Sequence, residues 1–429
     1  MSGSTIVLYR NDSDDVWVID IPASIAEAQA FGNDRLKLIS CPALEKPWPH
    51  NEPKSDKARD ILKSQQPDDR GLQKAISDAL AIVRASHSGA YCLSRVAQAA
   101  SAATGEKRRR SEITPDRAAE AWPGHDRFRP FKDGYDLSEE VGESLHVIAP
   151  PTTNLYVKSQ AEVEGKMVHN ASPSIANLRI QDKSIMCRIP PFSSFFLGDC
   201  SASMPFHRAV RQLAQRQQTK SQFDVVVMDP PWPSASVRRG AQKGQAHYNV
   251  KRSLWDMRQL LFDMDLGPLI SADGLLAVWI TNKPTINDMI LSQQDGLFES
   301  CGLQLVEEWI WVKVTSSGEP ILPVDGLWRK PYEILLIGRK KATAKGRDLD
   351  GRHTASPRHN VKRRVIFAVP DLHSRKPCLK QPLKRILGIS TDHRGLEIFA
   401  RNLISGWHAW GNEVLKFTEE MCWTRDCAP

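Results

Sequence analysis

Phe223-Asp224-Val225-Val226-Val227-Met228-Asp229-Pro230-Pro231-Trp232 decides how the chain folds. An unbroken apolar run of this length, rich in β-branched residues, predicts a buried strand over Phe223–Met228. Two prolines end it, because proline supplies no amide for a strand ladder. The run therefore delivers a carboxylate, a rigid turn and an indole together at the end of one strand. In an open α/β sheet that end is where ligands bind. The plain structural alternative is a strand stopped by prolines, with Trp232 as a core plug.

The same alternation continues outward from this stretch. Phe195–Gly198 reads as a strand ending at Asp199, and Ala209–Gln217 as a helix. Downstream, Leu254–Phe262 is helix-like, Leu275–Thr281 strand-like and Thr285–Phe298 helix-like. Ile310–Val314, Ile334–Ile337 and Val365–Val369 read as strands. Cys378–Leu387 reads as a helix, then Gly395–Ala400 and Glu413–Phe417 as strands. Short apolar strands alternating with helices imply an α/β, doubly wound, mostly parallel sheet over residues 191–429. Loops after Asp199, Met228, Ile280 and Phe399 would converge on one edge.

The first half is less regular. Thr5–Tyr9 and Val16–Ile21 are strand-like within an otherwise loosely built segment. Leu72, Ile76, Leu80 and Val83 recur at helical spacing, and an Ala-rich run extends the pattern to Ala103. Residues 1–104 are thus expected to form an accessory α+β region. A charged, Pro/Gly-punctuated stretch over 105–143 reads as a linker or insertion. Short strands at His146–Ile148, Leu155–Val157, Leu178–Ile180 and Ile185–Ile189 suggest a small β-containing region over 144–190.

The 429 residues are 41% hydrophobic and 25% charged, enough for a folded protein with an ample core. The longest apolar runs are too short to span a bilayer, and the N-terminus lacks a secretory pattern. Eight cysteines carry no CxxC pair or zinc spacing, which suggests a reducing compartment and no metal. A net charge of +8 favours a polyanionic partner. The charge gathers in three places. Lys107-Arg108-Arg109-Arg110 reads as a nuclear-import signal. Arg238, Arg239 and Lys243 follow the DPPW turn. The longest stretch runs from Arg339, Lys340 and Lys341 to Lys362, Arg363 and Arg364, with only Asp348 and Asp350 opposing it. Lying between two strand-like runs, it reads as a long basic loop between adjacent strands that contacts phosphates. Solvated loops are the alternative for all three.

At a strand end, Asp-Pro-Pro-Trp offers a particular chemistry. Pro230 contributes only a carbonyl and Pro231 fixes the turn. The Asp229 carboxylate and the Pro230 carbonyl are then two acceptors at a set separation, matched to the two donors of an exocyclic amine. The Trp232 face can stack on a planar heterocycle. Drawing both amine hydrogens toward acceptors makes a delocalised nitrogen more nucleophilic, so positioning and electrostatics carry the acceleration.

Other segments join this one. They are Leu275–Asn282, Trp311-Val312-Lys313, Lys330-Pro331-Tyr332-Glu333, His373-Ser374-Arg375-Lys376-Pro377 and Phe399–Leu403, with Gly406-Trp407 and Trp410–Phe417. Together with DPPW, this set over roughly 190–429 resembles the MT-A70 family of adenine-N6 methyltransferases, most of all its methyltransferase-like protein 4 branch. The resemblance implies a Rossmann-like class I fold with permuted motif order and S-adenosyl-L-methionine as cofactor. It implies that Asp229, Pro230, Pro231 and Trp232 hold the target adenine. Asp229, Arg401, Asn402, Asn412 and Glu413 would hold the cofactor, with Asp199, Cys200 and Lys330 as further contacts.

The expected activity is adenine-N6 methylation of nucleic acid in the nucleus, on small nuclear RNA at a 2′-O-methyladenosine. DNA is the alternative substrate. A non-catalytic nucleic-acid-binding subunit is the alternative of another class, and cytosine N4 the alternative acceptor. No membrane or metal is expected, and a monomer is favoured over a complex. Trp279, Trp309 and Trp311 read as core, as do Trp407 and Trp410.

Overall fold

The computed structural model describes residues 6–29, 36–49, 53, 55–65, 69–97, 144–233, 253–327, 329–341, 361–372, 375–389 and 392–425. In chain order the strands are β1 (Val7–Arg10), β2 (Val16–Ile19), β3 (Leu36–Leu38), β4 (Leu145–Ile148), β5 (Asn154–Val157), β6 (Met167–Asn170), β7 (Ala176–Ile180), β8 (Ile185–Ile189) and β9 (Ser194–Leu197). They continue with β10 (Phe223–Met228), β11 (Ile270–Ile280), β12 (Leu303–Lys313), β13 (Tyr332–Lys340), β14 (Lys362–Ala368), β15 (Gly395–Ile398), β16 (Trp407–Gly411) and β17 (Trp423–Arg425). The helices are α1 (Ile21–Gln29), α2 (Asp56–Gln65), α3 (Arg70–Ser86), α4 (Ser203–Gln217), α5 (Leu254–Asp263), α6 (Pro284–Leu291), α7 (Leu297–Ser300) and α8 (Lys380–Ile386).

Among the described residues, twelve strands form one sheet in the order β1-β2-β14-β12-β13-β11-β10-β15-β16-β9-β6-β4. The strands β2, β14, β12, β11, β10, β15, β16 and β9 run the same way, and β13 is reversed between β12 and β11. The strand β10 sits in the middle. Val225 and Val227 face one layer while Val226 and Met228 face the other, and all four are buried. A strand covered on both sides needs no polar alternation, which explains the unbroken valine run. One face packs on α4, α5 and α6. The other is covered near the centre by α1, α8 and the chain around Phe417–Trp423.

The α/β architecture matches the expectation, with four corrections. Glu413–Phe417 forms turns; the last strand of the sheet is Trp407–Gly411, buried at every position. Thr285–Phe298 divides into α6 and α7. The expected loose N-terminal segment is instead welded to the sheet: β2 pairs with β14, and Trp17, Val18 and Ile19 are fully buried. The expected strands at 144–190 form partly a three-stranded sheet, β5-β7-β8, and partly the far edge of the main sheet through β4 and β6. No helix of the described residues is long and apolar enough to cross a membrane.

Candidate active site

Parallel strands bring their carboxyl ends to one edge, and the chemistry of this chain gathers there. Asp229 follows β10, Asn282 follows β11, and Lys313 ends β12. Because β13 is reversed, its first residues, Tyr332 and Glu333, reach the same edge. Arg375 and Lys376 lie beyond β14, Phe399 to Asn402 beyond β15, and Glu413 beyond β16. A cleft of about 640 Å³, its open mouth included, lies on this edge. Its walls include Asp229, Trp279, Lys376, Glu397, Arg401 and Asn402, with Ile25 of α1 on the far side.

A chain of alternating charges holds Asp229. Lys376 Nζ lies 3.2 Å from Asp229 Oδ2 and 2.7 Å from Glu333 Oε2. The other oxygen of Glu333 takes Lys313 Nζ at 2.6 Å. The two ammonium groups rest near the faces of Trp279 and Trp311, at 5.0–5.8 Å from the ring centroids, where the ring quadrupole favours cations. Burial opposes the charge on Lys376, but Asp229 and Glu333 outweigh it and raise its pKa above the ordinary lysine value. Burial likewise opposes ionisation of Glu333, yet Lys313 and Lys376 hold it well below the carboxylate range. One oxygen of Asp229 is thus bound within the protein and Oδ1 is left as an acceptor.

The opposite wall carries a different carboxyl. Glu397 Oε2 is sealed from solvent and has no hydrogen-bond partner. Burial pushes this acid up to about 8, helped by the charge of Asp229 and opposed by Arg401. Arg401 in turn pairs with Glu413 at 3.0 Å, and Lys416 pairs with the second Glu413 oxygen at 3.1 Å. Burial would raise Glu413, but Arg401 and Lys416 hold it low. Phe399 turns the chain from β15 into this wall with φ +58°, a left-handed conformation that costs a bulky residue on the order of 1–3 kcal/mol. At Gly395 a side chain would strike the Trp407 indole, so glycine lets β15 and β16 close up and sets Trp407 in the cleft wall.

Asp229, Arg401 and Asn402 meet in the cleft, with Glu413 directly behind Arg401 and Asn412 half-buried beside it. The DPPW turn is pinned from two sides. Trp232 Nε1 donates to the Trp279 carbonyl at 2.8 Å, and Lys283 Nζ donates to the Pro233 carbonyl at 2.8 Å. The Trp232 indole is only 8% exposed and belongs to the core on the α5 face, so it anchors the turn and does not line the cleft. The Pro230 carbonyl accepts the Trp232 amide at 2.8 Å, which leaves one of its two lone pairs. Asp199 ends β9, three strands from β10, and closes its own turn by accepting from Ser201; Cys200 is buried in the core.

Other expected contacts lie elsewhere. The Lys330 ammonium is directed at Asp69, 3.9 Å away, at the start of α3 on the opposite face of the sheet. The lysine that lines the cleft among the described residues is Lys376, with Lys313 behind it on the other side of Glu333. Arg339, Lys340, Lys341, Lys362, Arg363 and Arg364 sit at the other edge of the sheet, at the end of β13 and the start of β14. Those two strands are separated by β12, so the basic stretch is not a hairpin between neighbours. Arg364 is a structural residue: its side chain is 5% exposed and grips both oxygens of Glu307 at 2.7 and 2.9 Å. Lys362 pairs with Asp15, Arg363 with Glu308, and Lys341 with Glu299. Arg339 and Lys340 donate to backbone carbonyls. Arg238, Arg239, Lys243, His373 and the Lys107–Arg110 run lie outside the described residues. Trp410 is core, stacked on Phe206 at 4.1 Å.

Lys376, Glu333, Lys313, Glu397 and Ile25 were not singled out as site residues. Lys376 and Glu333 stand in the quoted segments, but nothing in the sequence shows that a strand start and a post-strand loop meet.

The sequence pattern of the MT-A70 family matches residues 223–413. A Pyricularia oryzae protein named N6-methyladenosine RNA methyltransferase MTA1 is 46% identical over 206 residues, 48% of this chain and 50% of that protein. Its namesake from Cryphonectria parasitica is 30% identical over 427 residues, which is 97% of this chain and 94% of that protein. The human N(6)-adenine-specific methyltransferase METTL4 is 38% identical over 232 residues, 53% of this chain and 43% of its own length. The chain thus spans half or less of two of these relatives and nearly all of the third. With the carboxylate of the DPPW turn, its lysine clamp and the Arg401–Glu413 wall all on one sheet edge, the chain belongs to the MT-A70 family.

Proposed function

We propose that the chain is an adenine-N6 methyltransferase that uses S-adenosyl-L-methionine and acts on RNA. The observation that carries this reading is Asp229 in the cleft wall, held by Lys376 through one oxygen with the other left as an acceptor, and followed in the chain by the Pro230 carbonyl, which keeps one lone pair. A primary amine on a purine has two hydrogens, and these two acceptors match them. Asp229 Oδ1 and the Pro230 oxygen draw the hydrogens out of the ring plane, which returns the lone pair to the nitrogen. The Glu333–Lys376 pair holds Asp229 in place, so no reorientation is needed at the moment of reaction. Asp229 Oδ1 is also where the departing proton is first held.

The cleft fits the cofactor. A donor with a sulfonium and an ammonium group suits a wall where Glu397 has a buried oxygen without a partner and Asp229 a free one. Arg401, Asn402, Asn412 and Glu413 supply donors and acceptors for a ribose and an adenine. When bound, the cofactor provides a methyl group activated by a positive sulfur.

RNA is favoured over DNA because the relative that matches along nearly the whole chain is named an RNA methyltransferase. Within RNA, the methyltransferase-like protein 4 resemblance points to small nuclear RNA, at a 2′-O-methyladenosine, and to a nuclear location. Intact DPPW and Arg401–Glu413 speak against a non-catalytic subunit. The test is methyl transfer from labelled donor to adenine-containing RNA and DNA oligomers by the wild type and Asp229→Asn. The variant should keep its fold and lose at least about 100-fold in kcat, the usual cost of a misplaced acceptor or donor in a preorganised site. A variant as active as the wild type would remove Asp229 from the reaction.

A further inference from the structure

The small sheet β5-β7-β8 buries one face and leaves the other open. Val157, Leu178, Ile180, Ile185, Cys187 and Ile189 point inward, onto Phe195 and Leu197 of β9 and onto Leu403, Val414 and Leu415. The alternate positions form a grid fixed by the pairing register. Tyr156, Arg179 and Met186 lie side by side in one row, and Asn154, Asn177 and Arg188 in the next. Neighbours in a row are about 4.8 Å apart.

The content of this grid is unusual for a merely solvated face. It holds no carboxylate. Tyr156 is 60% exposed, although a large ring ordinarily seeks cover. The Arg179 guanidinium lies over it, 6.0 Å from the ring centroid. Asn177 donates to Asn154 at 3.2 Å and Asn154 Nδ2 to Thr153 Oγ1 at 3.4 Å, which leaves one amide hydrogen on each asparagine for other partners. A ring and a guanidinium plane for stacking, amides for base edges and positive charge for phosphates are the groups that recognise unpaired nucleotides.

The grid also adjoins the active-site cleft. Arg188 N donates to the Thr418 carbonyl at 2.8 Å, and Cys187 bridges to Glu419. The residue before Thr418, Phe417, lines the cleft. The β8 edge therefore runs into the cleft wall through two residues of chain.

We propose that the open face of β5-β7-β8 is a docking platform for the single-stranded nucleic acid that flanks the target adenine, with Tyr156 stacking on a base and Arg179 contacting the backbone. The proposal rests on the methyltransferase reading and extends it from the reacting base to its neighbours. It also explains how the cleft receives an adenine without opening a duplex at full cost, since flanking unpaired bases would already be held on the platform.

The experiment uses the full chain with Tyr156→Ala, Arg179→Ala and Tyr156→Phe. Both residues are exposed and lie outside the cleft, so cofactor affinity by calorimetry and the melting temperature should match the wild type. Binding is read by fluorescence anisotropy on single-stranded RNA and DNA of one sequence, and methyl transfer on the same oligomers and on an adenine trinucleotide. Tyr156→Ala should weaken oligomer binding and raise KM about 10-fold with kcat nearly unchanged. Tyr156→Phe should restore both. Arg179→Ala should lower the salt slope by about 0.7. The trinucleotide should show no change. Loss on RNA and DNA alike assigns the face to chemistry that both share, and loss on RNA alone assigns it to RNA. Wild-type affinity and KM in Tyr156→Ala and Arg179→Ala would overturn the platform while leaving the enzyme reading intact. Absence of methyl transfer by the wild type on every substrate would instead overturn the enzyme reading.

Discussion

Replacing Glu397 by glutamine should make the protein more stable, and the gain should depend on pH. Glu397 titrates at its ordinary 4.5 in the unfolded chain and at about 8 in the folded one, because burial and the nearby Asp229 charge disfavour its ionised form. Between these values the unfolded chain gives up its proton while the folded chain retains it. Folding stability therefore falls as pH rises across that window, by about 1.36 kcal/mol for each unit of pH. The total is on the order of 5 kcal/mol. Above pH 8 both states are ionised and the loss stays constant; below pH 4.5 both are protonated and it vanishes. A neutral amide at this position would carry no such penalty. Thermal melts of wild type and Glu397→Gln from pH 4 to pH 9, without cofactor, should nearly coincide at the acid end. They should separate by several degrees at the alkaline end, with the variant more stable. A cationic ligand in the cleft favours the ionised acid, so donor binding near pH 7 should release up to about one proton. That release is measurable by calorimetry in buffers of different ionisation enthalpy, and it should vanish in the variant. A stability difference that stays constant from pH 4 to pH 9 would mean that Glu397 is an ordinary surface-like acid and the argument is wrong.

Two further outcomes follow from the charge network. Lys376→Met removes the cation between Asp229 and Glu333, but Lys313 still holds Glu333 and Asp229 retains some solvent contact. Stability should fall by only about 1–2 kcal/mol, below the 3–5 kcal/mol of a fully stranded buried charge, while kcat drops by at least about 100-fold; chemical denaturation and single-turnover rates separate the two. Arg364→Met should do the reverse. It leaves the buried Glu307 without its cation, with only the Trp309 indole donating to it, and should cost about 3 kcal/mol, yet leave the salt slope of polymer binding unchanged, as titrations at several ionic strengths would show.

The strands of the catalytic sheet were legible where a period or an unbroken apolar run marked them. Phe223–Met228 is read to the residue because prolines end it. Trp407–Gly411 escaped because Trp-His-Ala-Trp-Gly has neither alternation nor β-branched residues, although both faces are buried. In the site, Asp229, Arg401 and Asn402 were visible because their segments are distinctive in themselves. Lys376 and Glu333 were not assigned, because their pairing depends on a reversed strand bringing its first residues to the same edge. Arg364 misled for the opposite reason. A run of basic residues looks alike in a sequence whether each charge meets water or, like this one, a buried glutamate.

The pairing of β2 with β14 has a practical meaning for anyone who would cut this protein down. The family match begins at residue 223, yet Ile25 forms part of the cleft wall and the Ser24 hydroxyl accepts the Cys378 amide at 3.0 Å, two residues from Lys376. A fragment trimmed to the matched region would bare the flank of β14 and loosen the very loop that holds the lysine clamp. The two ends of the polypeptide are sewn together at the reaction centre, so the smallest working unit is set by that seam and not by where likeness to relatives starts.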